Sequence, residues 1–244
     1  MRLADRDGLG AGARERLQES LAFTERFFDG LGFCLSEDGD LLSQWRGYAD
    51  DARGASIGFS RTYLDSLSVA SRGKGFSGFA VYKVKYEPNE QEAQIEPAYG
   101  KMRQLIDDGA FSMPGIRGLL DTRSSEQIAA DDEKIKNAHE ALILELLGLF
   151  PRLYELKGSA FREEREWRLV SMLVGRGSDA CLFRARSGRI IPYRVFELTE
   201  QSVPAISEVI LGPRHETPPE TVRSMLKQAG FGEVSIRRSE ATYR

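Results

Sequence analysis

The chain has 244 residues, of which 41% are hydrophobic and 29% charged, a balance that is ordinary for a folded globular protein. It excludes a disordered main state and the collagen-like, coiled-coil and disulfide-scaffold classes. The 34 basic and 37 acidic residues give a net charge of -3, so no global positive field attracts nucleic acid. A local basic patch is compatible with these counts, and residues 237–244 are its best candidate.

The first 30 residues are charged and lack the apolar run of a secretory signal. Residues 13–29 predict a helix, because apolar side chains recur along one imperfect face. No strand pattern occurs before residue 33. We therefore expect residues 1–32 to form an N-terminal helical segment of a chain that begins part-way into a larger domain.

A short strand is predicted at 31–36, with its apolar run beginning at residue 33. A helix that ends near Tyr48 follows, with Asp40 as its N-cap, because an aspartate at this position can accept the first backbone amides. Further along the chain, the pattern predicts a strand, a helix and a second, clearer strand at 55–59, 61–70 and 79–86.

The middle of the chain predicts two long helices separated by a loop. The first helix begins at Pro88 and extends for about 20 residues. Residues 109–125 are rich in glycine and serine and predict a flexible loop. The second helix is predicted at 131–156, where three acidic residues at 131–133 would complement the helix dipole.

The last third of the chain is rich in strand patterns. Strands at 165–174, 181–186 and 189–198, with turns at 175–177 and 187–188, indicate an antiparallel meander. Later elements are a strand at 206–211, a helix that Thr217 caps and Gly230 ends, and a strand at 233–236. These patterns predict an α+β fold with a mixed, largely antiparallel sheet and flanking helices, and a single domain over residues 33–244.

The two cysteines, Cys34 and Cys181, have apolar neighbours and are expected to be small buried residues of strands. Together with the two histidines they make no zinc-site spacing, so we expect neither a metal nor a disulfide. This usage fits a reducing cytoplasm. No apolar run reaches the roughly 18 residues of a membrane helix, so no membrane partner is expected.

The first segment that could carry chemistry places an amide, an indole, a guanidinium and a phenol within five positions, at Gln44, Trp45, Arg46 and Tyr48. On a helix, Gln44 and Tyr48 share a face that could stack a base or a nicotinamide ring. The alternative is that Trp45 and Tyr48 fill the core while Arg46 is solvated.

The second segment covers residues 161–170. On a strand, Glu164, Glu166 and Arg168 would point one way, and Trp167 and Leu169 the other. If the second set is buried, the first presents paired carboxylates that could hold a proton, polarise a ribose hydroxyl or bind a metal. The alternative is an exposed ladder of ion pairs, each worth about 0–1 kcal/mol.

A third segment, residues 206–215, is a strand ended by Gly212 and Pro213 ahead of a helix. Such a helix start could bind an anion. Its glycine spacing matches no phosphate-binding loop, so the structural interpretation is favoured.

These segments together resemble the bacterial domain-of-unknown-function 2971 family. The matching blocks are 33–36, 42–49, 57–59, 164–168, 206–212 and 239–244. The layout of that family resembles an ADP-ribosyltransferase-like fold, with a His or Arg on a first strand, a Ser or Tyr in a second block and a Glu on a late strand. The resemblance implies NAD or a related small nucleotide as cofactor, and a role in bacterial stress or phage defence.

The resemblance also implies roles for individual residues. Tyr48 or Ser43 would be the middle element, and Glu166, with Glu164 as second choice, would be the catalytic glutamate that orients the nicotinamide ribose. The residues around the nucleotide would be Ser43, Gln44, Trp45, Arg46 and Arg168. The chain has no counterpart of the first element.

Two other classes of function stay open on the sequence. One is a non-catalytic interaction module whose basic C-terminal tail contacts a partner. The other is a metal-dependent nuclease that uses Asp40, Glu164 and Glu166. Whether an acceptor would be nucleic acid or protein is not decided by these patterns.

Overall fold

The computed structural model describes residues 2–71, 73, 78–113, 122–175, 181–198 and 203–243. The helices in this part of the chain are α1 (Arg2–Arg6), α2 (Ala11–Phe27), α3 (Leu42–Tyr48), α4 (Arg61–Ser71), α5 (Pro88–Asp107), α6 (Ser125–Leu153) and α7 (Pro219–Gln228). The strands are β1 (Phe28–Ser36), β2 (Ala55–Phe59), β3 (Ala80–Lys83), β4 (Glu166–Val174), β5 (Leu182–Arg186), β6 (Arg189–Tyr193), β7 (Ile206–Leu211) and β8 (Ser235–Arg238).

The chain forms two compact units. The helical unit consists of the described residues of Met1–Gly30, Lys85–Gly158 and Leu173–Ser178. The mixed unit consists of those of Leu31–Val84, Ser159–Met172 and Asp179–Arg244. Whether residues 33–244 fold as a single domain stays a prediction, because a grouping by contacts does not show which segments fold alone.

The helical unit is built from α1, α2, α5 and α6. Its core contains apolar residues from all four helices, among them Leu3, Leu17, Met102 and Leu142. Burial of these side chains is the main stabilising contribution, at about 25 cal/mol per Å² of apolar surface.

The long helix α6 begins earlier than the sequence predicts. The side chain of Ser124 accepts from the amide of Gln127 at 3.1 Å, and the Gln127 side chain accepts from the Ser124 amide at 2.8 Å. This reciprocal capping box satisfies two amides that the helix itself leaves free. The predicted start near the three acids at 131–133 is therefore wrong, and these acids lie within the helix.

The mixed unit contains two three-stranded sheets and a separate two-stranded ribbon in the described residues. The first sheet has the order β1-β4-β3, with β3 antiparallel to β4. The second has the order β2-β7-β8, where β7 is antiparallel to β2 and parallel to β8. The prediction of an α+β fold with largely antiparallel pairing is confirmed.

The predicted meander over 165–198 is wrong in its pairing. Among the described residues of this range, β5 and β6 form a hairpin, while β4 pairs with β1 and β3 in the first sheet. The turn predicted at 187–188 is present, with positive φ values of 49° at Ser187 and 74° at Gly188. The end of the turn predicted at 175–177 lies outside the described residues, as do 114–121 of the predicted loop.

Helix α7 begins without the predicted cap. Its N-cap is Pro218, and no side chain caps its first amides, so Thr217 does not have the expected role. The prediction for the other end is confirmed, because Gly230 follows the helix with a φ of 84° that favours glycine.

Neither cysteine is buried as expected. Cys34 is exposed on β1, and Cys181 is half-buried just before β5. Their apolar neighbours in sequence are a poor guide here, because alternate residues of a strand point to opposite faces.

In the described part of the chain, no helix combines the length and the apolar character that crossing a membrane requires.

Candidate functional site

The first predicted segment forms α3, and its tryptophan is a core residue. Trp45 is only 2% exposed and packs with Ala52 and Ile210. Its indole nitrogen donates to the carboxylate of Asp40 at 2.7 Å. Both the ring and the nitrogen of Trp45 are therefore occupied within the protein.

Asp40 does not cap α3, contrary to the sequence prediction. The N-cap is Leu41, and no side chain caps the helix. Instead, the Asp40 carboxylate accepts hydrogen bonds from the Ser239 hydroxyl, the Glu240 amide at 2.8 Å and Arg237 at 3.4 Å, besides the bond from Trp45. Burial alone would raise the pKa of Asp40, but these donors favour the ionised form and the net pKa is lowered.

The C-terminal tail, residues 239–243, packs on α3 and on the turn that follows it. The Tyr243 hydroxyl bonds to Asp51, and the Arg46 guanidinium lies 5.5 Å from the centre of the Tyr243 ring. Arg237 bonds to Glu208 at 2.9 Å, and Arg238 to the carbonyl of His215 at 2.9 Å. The arginines of the predicted basic patch therefore have internal partners, and Arg244 lies outside the described residues.

The turn after α3 has an uncommon backbone. Asp50, Asp51 and Ala52 all have positive φ values, of 48°, 52° and 67°. This conformation is unfavourable for residues other than glycine. Close packing holds it in place, since a Cβ on Gly212 would lie 2.3 Å from the Ala52 carbonyl oxygen.

The third predicted segment, at 206–215, has its amides satisfied internally. Gly212 donates to Gly54, Arg214 to Ala52 and His215 to Gly212. The Thr217 amide donates to Nδ1 of His215 at 3.2 Å. The segment is therefore a structural connection between β7 and α7, which is the interpretation that the sequence favours.

The second predicted segment is not one continuous strand. Residues Ser159–Glu164 form a 3₁₀ helix, Arg165 has a φ of 41°, and β4 begins only at Glu166. Glu164 therefore does not share a strand face with Glu166 and Arg168, as the strand pattern predicted. The expected burial is also reversed, because Glu166 is 3% exposed while Trp167 is only half-buried.

Glu166, which is buried, and Arg168, which is half-buried, form an ion pair. Two nitrogens of the guanidinium donate to the two carboxylate oxygens at 2.7 and 3.1 Å. The bond to Glu166 is the main cause of a raised pKa for Arg168, and burial opposes it. Such two-point pairs are strongly oriented, so the Glu166 carboxylate is directed at Arg168.

Trp167 belongs to an outer cluster made of Glu37, Arg61, Lys83 and Trp167. The Arg61 guanidinium stacks 4.1 Å from the centre of the indole ring. The indole nitrogen donates to Glu37 at 2.8 Å, and Lys83 donates to the same carboxylate oxygen at 2.6 Å. The bonds from Lys83 and then Trp167 lower the pKa of Glu37.

The two predicted segments meet at Ser43. Its hydroxyl donates to the carboxylate of Glu163 at 2.9 Å, at an exposed position. Nearby, the Ser36 hydroxyl at the end of β1 donates to the Glu164 carbonyl at 2.8 Å. The candidate site is therefore the surface where α3 faces the 3₁₀ helix.

The other predicted site residues lie around α3 at different depths. Arg46 is exposed, Tyr48 is 78% exposed at the end of the helix, and Gln44 is half-buried. The sequence prediction missed Glu163. It lies directly before Glu164, but reading the segment as a strand assigned it to the opposite face.

The structure gives little support to the metal-dependent nuclease. Asp40 and Glu166, two of its three ligands, have carboxylates engaged by hydrogen-bond donors. Within the residues that the structure describes, no group of three His, Cys, Asp or Glu side chains is arranged to hold a metal ion.

The helical unit contains a cavity of about 1020 Å³, which the sequence did not predict. Its lining is mostly apolar and includes Leu17, Tyr99, Met102 and Phe150. Near Tyr154, burial and the neighbouring Asp29 carboxylate raise the pKa of the phenol. None of the predicted site residues lines this cavity.

Comparison with known proteins gives one match. A family model described as a protein of unknown function (DUF2971) matches residues 44–169, just over half of the chain. No curated protein and no solved structure matches significantly. The matched range contains most of α3, the 3₁₀ helix and the start of β4, and begins one residue after Ser43. The resemblance found in the sequence is confirmed, and the chain belongs to the DUF2971 family.

Proposed function

We propose that the mixed unit binds NAD and has ADP-ribosyltransferase-like activity. The hydrogen bond between Ser43 and Glu163 is the observation that carries this proposal. It joins a candidate for the middle element to Glu163, the neighbour in sequence of Glu164, which is the second choice that the resemblance implies for the late glutamate. Glu163 replaces Glu166 as the proposed catalytic residue, because Glu166 is buried and directed at Arg168.

The proposed chemistry uses the Glu163 carboxylate as an electrostatic stabiliser. When the bond between the nicotinamide nitrogen and ribose C1′ breaks, nicotinamide leaves with the electron pair and positive charge develops on the ribose. A nearby carboxylate lowers the energy of that charged state. Water or an acceptor then bonds to C1′ and releases a proton to solvent, which gives ADP-ribose or a modified acceptor.

The binding roles follow from exposure. Trp45 has no free ring face, so we assign it to the support of α3. Tyr48 and Arg46, which are exposed, are the side chains of α3 that can stack on a ring or pair with a phosphate, and Gln44 adds an amide. The same resemblance suggests bacterial stress or phage defence as the setting.

The test is an assay of nicotinamide release from NAD, combined with thermal unfolding. We expect Glu163→Gln to lower turnover by about 100-fold or more while leaving the melting temperature unchanged. Ser43→Ala should lower turnover less, because Glu163 loses only its orientation. Glu233→Gln, at an exposed position of the same unit and with no hydrogen-bond partner among the described residues, is the matched control and should have no effect on either readout.

Glu166→Gln separates a structural role from a chemical one. It leaves the half-buried Arg168 with a weakened partner, so we expect the free energy of unfolding to fall by about 2 kcal/mol. Turnover of a Glu163→Gln variant equal to that of the unchanged chain would overturn the assignment of Glu163. Absence of both turnover and any NAD-dependent shift in melting temperature would overturn the proposed function.

A non-catalytic interaction module is the second candidate. The observation that favours it is the structural use of Trp45, whose ring lies in the core and whose nitrogen bonds to Asp40. Its basic tail would not be the contact surface, because the tail arginines have internal partners. Failure of NAD to bind or react would leave this candidate in place.

A further inference from the structure

The ribbon of β5 and β6 concentrates positive charge on an otherwise acidic chain. Residues 181–194 contain four arginines and no acidic residue, although the whole chain has a net charge of -3. We call this hairpin the arginine ribbon. Arg184, Arg186 and Arg189 are exposed on it.

The strand register places these three arginines on one face. Arg186 is paired with Arg189, and Arg184 with Ile191. Since alternate residues of a strand share a face, Arg184, Arg186 and Arg189 point the same way, and the same face carries Leu182, Ile191 and Tyr193. Arginines two apart on a strand are about 7 Å from each other, so the face presents a closely spaced row of cations.

These arginines have no acidic partner among the described residues, in contrast to several other cations of the mixed unit. Arg61, Arg165, Arg214 and Arg237 each pair with a carboxylate. On the ribbon, Arg184 instead lies over the Tyr193 ring, with 5.7 Å from the guanidinium to the ring centre. The charge of the arginine face is therefore available to a ligand.

The base and the tip of the ribbon are both ordered by specific contacts. Arg194 donates to the Ser171 hydroxyl at 2.5 Å and to the Met172 carbonyl at 2.8 Å. Phe196 packs edge-on against Phe79, with 4.7 Å between the ring centres. At the tip, two residues with positive φ form the kind of tight turn that matches the strand twist. The arginine face is thus held in a fixed arrangement.

We propose that the arginine face of the ribbon binds a nucleic-acid strand through its phosphates. Guanidinium groups bind phosphate oxygens at two points, and Tyr193 offers a ring for base stacking. A two-stranded ribbon also fits the major groove of duplex DNA, so single-stranded and duplex forms are the two sources of the same phosphate chemistry.

An anionic membrane fits this arrangement less well. The apolar residues Phe183, Ala185, Ile190 and Pro192 lie on the opposite face of the ribbon by the same register. On a membrane, the ribbon would insert that apolar face into the lipid, and the three arginines would then point away from the lipid headgroups. The placement of the charge therefore favours a soluble polyanion, and vesicle binding becomes an outcome of the test.

The experiment measures fluorescence anisotropy of a labelled 20-residue single-stranded oligonucleotide and of its duplex at several salt concentrations. Three neutralised phosphates predict a slope of about 2 in log affinity against log salt for the single strand, or roughly 15-fold between 50 and 200 mM. The variant Arg184→Gln/Arg186→Gln/Arg189→Gln should lower affinity at least tenfold and remove most of this slope.

A charge-matched control uses three exposed cations elsewhere in the mixed unit. Arg53→Gln/Arg223→Gln/Lys227→Gln makes the same change in net charge and should keep the affinity within twofold. Equal affinities of the two triple variants would overturn the proposal. Binding to phosphatidylserine vesicles without binding to either oligonucleotide would overturn it in favour of a membrane.

Discussion

At the scale of single residues, Asp40 shows how one carboxylate can organise a local structure. It joins Trp45 of α3 to Arg237 at the end of β8 and to Ser239 and Glu240 of the tail. Trp45 is close to Asp40 in the sequence, whereas the other three partners are about 200 positions away. The sequence assigned Asp40 to the helix start because the spacing fits a cap, and the tail partners could not be foreseen.

The first prediction concerns Asp40→Asn. An amide cannot accept from all of these donors, and it lacks the charge that strengthens the bonds, so we expect a loss of about 2–3 kcal/mol in the free energy of unfolding at pH 7. Urea unfolding followed by tryptophan fluorescence measures it. Asp65→Asn, which removes an exposed ion pair with Arg61, is the control and should cost at most about 0.5 kcal/mol.

The same residue predicts a pH dependence. The folded protein lowers the pKa of Asp40 below its ordinary value of 3.8. The stability that Asp40 contributes is therefore complete above about pH 4 and is lost as the pH falls through the lowered folded pKa. We expect the stability gap between the unchanged chain and Asp40→Asn to narrow from pH 5 to pH 2.5. A gap that stays constant over this range would contradict the assignment.

At the scale of elements, the start of α6 illustrates a local signal that the sequence analysis overlooked. Ser124 and Gln127 have the spacing of a capping box, but the apolar periodicity of the helix becomes clear only further along. The second prediction is that Ser124→Ala lowers the free energy of unfolding by about 1 kcal/mol. Urea titration with circular dichroism measures it. Ser125→Ala, one position into the helix, should leave stability unchanged or raise it slightly, and an equal loss in both variants would contradict the cap.

Periodicity predicted most helices and strands, because it depends on neighbours a few positions away. It placed α5, β7 and the turn at Ser187 and Gly188 well. It failed where a single residue with an unusual backbone conformation interrupts a strand pattern. At Arg165, a positive φ separates the 3₁₀ helix from β4. One residue of displacement reverses the face to which each side chain belongs, which explains why Glu166 is buried and Glu163 was missed.

Pairing between strands was beyond the sequence patterns. β4 and β7 have similar apolar character, yet they belong to different sheets. The same holds for the candidate site, where both segments were identified but their contact through Ser43 and Glu163 was not. Patterns give the residues of each element, whereas the contact depends on how distant elements pack.

At the scale of the whole molecule, the two units are built from alternating segments of the chain. The helical unit takes its first two helices from residues 1–30 and its next two from 85–158, with the mixed unit supplied from the intervening and following segments. Its core therefore depends on long-range contacts: Leu3 and Leu17 pack in the same cluster as Met102 and Leu142. The N-terminal segment is part of a core in this arrangement.

The third prediction follows from that dependence. A chain that begins at residue 31 would lose Leu3, Ala4, Leu9 and Leu17 and expose the apolar faces of α5 and α6. We expect it to lack a cooperative thermal transition and to associate in gel filtration. A monomer that melts cooperatively near the temperature of the full chain would instead support a single domain over residues 33–244.

A point variant tests the same dependence without shortening the chain. Leu17→Asp buries a charge at a position that is 2% exposed, whereas Phe23→Asp places the same charge at one that is 61% exposed. Because a buried unpaired charge costs several kcal/mol, we expect the first variant to lose cooperative unfolding and the second to keep it. Both substitutions lie on α2 and replace an apolar side chain by aspartate. If both variants lose cooperative unfolding, α2 itself tolerates no added charge. If both keep it, residues 1–30 contribute little to the core.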